Sequence, residues 1–153
     1  MTTTPAPGDS RQIFEALTHG VAGDHDTAMT LLLPILQRDD QTMYATLCAL
    51  AESASFNARQ QHEPGQHFGI EVEHIDTGAE GSTDDLPPGI AFAARFVTAH
   101  ANRDWDSTNA LYRALYDADP DQLVIGVRAV YDMAVVSLRA FVERRRAETD
   151  PAA

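Results

Sequence analysis

Apolar residues recur at helical spacing in six stretches of this chain, and the polar residues between them carry helix start and stop signals. Ile13, Leu17 and Val21 form a stripe at i, i+4 and i+8. Met29, Leu32, Leu33 and Leu36 form a second, and Met43, Leu47, Leu50 and Ala54 a third. Downstream come Ile90, Phe92, Ala93, Phe96 and Val97, then Leu111, Tyr112 and Leu115, then a long run from Leu123 to Val142. Aspartates precede the later stripes of each half: Asp24 or Asp26, Asp39-Asp40, Asp104 or Asp106, and Asp119. Each can accept a backbone N–H as an N-cap. Pro87-Pro88 and Pro120 stand at helix starts, where a missing N–H costs little. The pattern predicts helices near 13–22, 26–38, 41–56, 88–102, 106–117 and 121–145. Pro34 lies inside the second and predicts a kink, because it offers no donor to the Thr30 carbonyl. The last helix, about 40 Å long at 1.5 Å per residue, is apolar on several sides. It is therefore expected to be either the central strut of a bundle or a helix covered by a second copy of the chain.

The two halves of this pattern match. "VAGDHDTAMTLLLPIL", Val21 to Leu36, aligns with "ANRDWDSTNALYRALY", Ala101 to Tyr116, and the register of eighty holds without a gap to Ala54. Asp24, Asp26, Leu31, Asp39, Ala49 and Ala54 meet Asp104, Asp106, Leu111, Asp119, Ala129 and Ala134. Apolar pairs at helical spacing accompany them, such as Leu47 with Val127 and Leu50 with Val130. The expected fold is an all-α, six-helix bundle in one domain, built from two duplicated three-helix units at 10–56 and 88–146. An acidic segment, 57–87, joins them, and 1–9 and 147–153 are expected as tails. The expected core is Leu17, Leu32, Leu36, Leu47, Leu50, Phe96, Leu111, Leu115, Val127, Val130 and Ala134.

The joining region interrupts the helical pattern. From Asn57 to Gly89 it holds five glycines, three prolines and seven acids against one arginine. Within it, "HFGIEVEH" alternates Phe68, Ile70 and Val72 with Gly69, Glu71 and Glu73, a strand pattern. A lone strand needs a partner for its backbone groups. The segment is expected to be a flap resting on the bundle, a linker, or an element that adds to a partner's sheet.

"ANRDWDSTNALYRALYDADP", Ala101 to Pro120, resembles the second half of a tetratricopeptide repeat. Asp104, Trp105, Tyr112, Asp119 and Pro120 fall at matching places, and Phe92 stands where that family has its first-helix tryptophan. In the first unit Gly23, Asp24, Ala28 and Leu32 match. Thr108 replaces the family's small residue, the Leu-Gly pair of the first helix is missing, and the period is eighty rather than about 34. The resemblance implies stacked helical hairpins and, by analogy, a groove that binds other proteins.

Charge narrows the function classes. Among 153 residues, 23 acids face 11 basic residues, all of them arginine, giving a net charge of −12. That argues against nucleic acid as a partner. The absence of lysine removes Schiff-base and P-loop chemistry. The missing lysines and abundant alanines suggest a bacterial, GC-rich source. No apolar run reaches the length that spans a bilayer, and "MTTTPAPGDS" has neither a basic region nor an apolar stretch. With a single cysteine, Cys48, the expectation is a cytoplasmic protein without disulfides, membrane partner or cofactor.

Candidate chemistry is sparse. His62, His67, Glu71 and His74 have the residue types of a zinc site, but in a strand His74 points away from His67 and Glu71. Glu15 and His19 have the spacing of a surface pair. Cys48 sits beside an apolar stripe, as a small buried residue would. No nucleophile triad or phosphate loop is present in the sequence. The leading expectation is a non-enzymatic helical interaction module: an adaptor, small chaperone or regulatory partner. It would recognise another protein, a basic one among the options, and is open to self-association. Its contact would use Trp105, Tyr112, Tyr116 and Phe68, with Glu71, Glu73 and Asp104 steering the partner. The alternatives are a metal- or small-ligand-binding helical protein using the central loop, and an acidic inhibitor that imitates DNA.

Overall fold

A computed structural model describes residues 3–61, 67–69 and 80–150. These form an all-α bundle of six helices, with no sheet among the described residues: α1 (Pro7–Val21), α2 (His25–Leu36), α3 (Asp40–Gln61), α4 (Pro88–Ala101), α5 (Trp105–Ala118) and α6 (Pro120–Thr149). A short 3-10 turn, Thr83–Asp85, precedes α4. Three helices run beyond their expected ends. Pro7 starts α1 six residues early, and Asp9 in its first turn takes a two-pronged ion pair from Arg38 at 2.8 and 3.0 Å. α3 continues to Gln61, held near its end by the Phe56 ring on Phe141, 5.2 Å between centroids. α6 reaches Thr149. Pro34 does not break α2, which stays helical around it; both Pro34 and Thr30, whose carbonyl it leaves without a donor, are exposed.

The hairpin turns repeat bond for bond at the eighty-residue offset. Gly23 N donates to Gly20 O and Asp24 N to His19 O; Arg103 N donates to His100 O and Asp104 N to Ala99 O. Asp24 then caps α2 by accepting from Thr27 N, as Asp104 caps α5 by accepting from Ser107 N, both at 3.1 Å. Asp39 and Asp119 accept from Thr42 N and Gln122 N at the starts of α3 and α6. Each hairpin turn needs one left-handed residue. Gly23 supplies it at φ +88° without strain, while Arg103 adopts φ +60°. Arg103 offsets that strain through two hydrogen bonds to Glu52 and a stack on Trp105.

α6 is the central strut: it packs on α3 and α4 most extensively, and on α1 and α5. Its outer side still exposes Val124, Ile125, Met133 and Val136. Eight of the eleven expected core residues are buried; Leu111, Leu115 and Val127 are half-buried against the core. For Leu111 and Leu115 the reason is that α5 is the amphipathic outer helix, whose inward line runs through Thr108 and Tyr112 instead.

Where α4 crosses α6, Gly89 and Gly126 allow contact at backbone distance. A Cβ on Gly126 would lie 2.6 Å from Phe92 Cδ1 and 3.2 Å from the Gly89 carbonyl oxygen. In an open helix, Gly→Ala gains about 1 kcal/mol from propensity. Here the overlap outweighs that gain, and Gly126→Ala should destabilise by about 1–3 kcal/mol in urea titration. A stabilised variant would mean that Phe92 swings aside at no cost.

Candidate ligand-binding cavity

Position 32 in α2 and position 124 in α6 correspond, eighty residues apart, to Tyr112 in α5 and Tyr44 in α3. In the α3–α5 half both tyrosines are fully or almost fully buried and pack together, 5.2 Å between centroids. Their hydroxyls are satisfied: Tyr44 Oη shares a hydrogen bond with Thr108 Oγ1 at 3.1 Å, and Tyr112 Oη donates to Asp40 Oδ1 at 2.5 Å. Arg113 pairs with the same carboxylate. The rings plug the space between their helices.

The α2–α6 half has no plug. Leucine and valine occupy the corresponding positions 32 and 124, and both line a cavity of about 580 Å³. Its wall is apolar: Met29, Leu32 and Leu36 of α2, Met43 of α3, and Leu123 and Val127 of α6. Leu33, Tyr116 and Val124, the last 70 % exposed, stand at its mouth. The volume lies within the range of small-molecule sites, and an apolar wall with few polar groups is their usual composition. Those polar groups are Gln37, Tyr116, Tyr131 and Arg128. Tyr131 Oη is already bonded to His25 Nδ1 at 2.9 Å. Gly20 makes room for that ring, since a Cβ there would sit 2.4 Å from Tyr131 Oη. Arg128 lies over the Tyr131 ring, 5.5 Å from its centroid, and its Nε donates to Asp132 Oδ1 at 3.1 Å.

A second hollow, about 350 Å³, lies where Thr3–Pro5 cross Cys48, Ala49, Glu52, His100, Arg103 and Trp105. Desolvation alone would raise the Glu52 carboxyl, but the Arg103 and Arg59 guanidinia outweigh it and hold it down at about 2. Burial pushes His100 down to about 4, against the opposing pull of Glu52, so the ring is neutral at pH 7. Its Nδ1 is buried with no hydrogen-bond partner among the described residues, 3.5 Å from Glu52 Oε2. Burial lifts the Cys48 thiol to about 11, which leaves it inert as a nucleophile. These groups tie α3 to the α4–α5 turn.

The residues expected to form a partner surface do not converge. Tyr112 is a correction: it is fully buried, because it fills the space between α3 and α5, and cannot touch a partner. Trp105 is 42 % exposed at the start of α5, edge-on to His100. Tyr116 is eleven residues further on, about 16 Å along the helix. Asp104 is spent as an N-cap. Phe68 is half-buried, its N–H and carbonyl both bonded to the Asn102 side chain at 2.8 and 3.0 Å. Glu71 and Glu73 lie outside the described residues, as do His62 and His74 of the metal set; His67 is exposed. No group of three or more metal-binding side chains occurs among the described residues. No described helix is long and apolar enough to cross a membrane.

Neither the known protein families, nor the curated proteins, nor the solved structures contain a match to this chain. The cavity escaped sequence reading because it is a difference between two aligned positions. Its signal was there: Leu32 opposite Tyr112, and Val124 opposite Tyr44.

Proposed function

We propose that this protein is a non-enzymatic binding module that takes an apolar group into the cavity between α2 and α6. The observation that carries the reading is the inequality of the two halves. The space between α3 and α5 and the space between α2 and α6 correspond at the eighty-residue offset, and the first is filled with tyrosine while the second is open. A void of this size lined by leucine, methionine and valine forfeits packing contacts. Its retention beside an exposed apolar mouth makes sense if something fills it.

A neutral apolar dye, N-phenyl-1-naphthylamine, tests this directly. The native protein should bind it saturably with enhanced fluorescence. The double variant Leu32→Phe, Val124→Phe should lose that binding while melting at the same temperature or higher. Phenylalanine is chosen over tyrosine because Pro120 stands where Asp40 accepts the Tyr112 hydroxyl in the other half. Unchanged dye binding in the filled variant would sink the reading.

A second reading keeps the cavity and changes the guest to a helical protein partner, in line with the helical-hairpin resemblance. It is favoured by Leu33, Tyr116 and Val124, which extend the apolar surface beyond the cavity mouth and could receive the apolar face of an amphipathic helix. Native mass spectrometry of the protein purified from its host separates the two guests by the mass retained on the chain.

A further inference from the structure

The cavity has a chemical polarity that an apolar guest alone would not use. Arg128 is the one cationic side chain among the described residues that line it. Its Nε is engaged by Asp132, and its face rests on Tyr131, yet no described residue bonds either terminal nitrogen. The side chain is about half exposed, so those donors stand at the rim where the apolar wall gives way to water. Tyr116 and Gln37 also line the cavity and bring a hydroxyl and an amide. An apolar slot with a guanidinium at its edge suits a molecule with an apolar body and an anionic head.

We propose that the guest of the α2–α6 cavity is a small apolar carboxylate, its hydrocarbon part among Met29, Leu32, Leu36, Met43 and Val127 and its head on the terminal nitrogens of Arg128. This rests on the cavity reading above. The net charge of −12 makes the assignment demanding. Across the surface as a whole, the field repels anions and attracts cations. A preference for carboxylate can therefore arise only from a local donor.

Three probes share one chain and differ in the head: decanoate, 1-decanol and decyltrimethylammonium. Titration calorimetry at pH 7 and low salt should show decanoate binding about tenfold tighter than the other two, the size of one charge-assisted contact. Arg128→Gln should bring decanoate to the affinity of 1-decanol and leave 1-decanol unchanged. Asp132→Asn, which removes the carboxylate charge paired with Arg128, should strengthen decanoate alone. The second variant keeps the test decisive if Arg128→Gln loosens Tyr131. Equal binding of decanoate and 1-decanol, or tighter binding of the ammonium probe, overturns the carboxylate assignment and leaves the cavity as an apolar site. Failure of all three probes, together with loss of dye binding in the Leu32→Phe, Val124→Phe double variant, also overturns it, since a cavity that takes the dye then rejects apolar chains. Failure of all three with no saturable dye binding to the native protein removes the cavity reading itself.

Discussion

Lowering the pH from 7 to 4 should cost this protein about 3 kcal/mol of folding stability through His100 alone. Burial depresses the folded-state value of His100 from 6.5 to about 4. The unfolded chain therefore binds the proton first as pH falls. The stabilising contribution is fully present above pH 6.5, declines between 6.5 and 4, and is gone below that. The groups facing the ring are Glu52, which favours its protonation, and Arg103 and Arg59, which oppose it. Glu52 is itself depressed to about 2, so its contribution is present above about 4.5 and is lost only at lower pH. Because the two windows separate, urea titrations at pH 7, 6 and 5 isolate the histidine. The His100→Leu variant should show a flat profile across that interval. A native protein with equal stability at pH 7 and 5 would place the ring in contact with water.

Leu47→Ala should lower the unfolding free energy by about 2–5 kcal/mol, the range for a buried leucine whose surroundings cannot collapse. Leu47 is wholly inaccessible on α3, on the helix that packs most extensively against α6. Tyr44 and Leu50 on the same helix are equally fixed within the core. Leu115→Ala makes the control: half-buried on the outer helix α5, it should cost clearly less. Denaturant midpoints of the two variants with an unchanged slope test the contrast. Equal losses would mean that α5 is as deeply embedded as α3.

Helix number, helix type and the capping aspartates were legible in the sequence because they follow from neighbours within four residues. Apolar stripes at helical spacing located all six helices, and both hairpin turns use the same bonds at the eighty-residue offset. Helix ends were less legible. Pro7 and Asp9 gain their partner from Arg38, 29 residues away, and Phe56 gains Phe141 from the opposite end of the chain.

The expected partner surface was read from side-chain type, and Tyr112 departs from it for a related reason. Tyr112 looked like an exposed aromatic next to Trp105, but an aromatic at helical spacing is exposed or buried according to what lies opposite it. Opposite Tyr112 lies Tyr44, 68 positions earlier. The sequence by itself determined that two similar helical patterns exist and where each begins. Tertiary structure alone decided that Tyr44 and Tyr112 meet and fill their space while Leu32 and Val124, at the matching positions, line an open cavity. Packing depends on the summed volume of residues that are distant along the chain, and no local pattern records that sum.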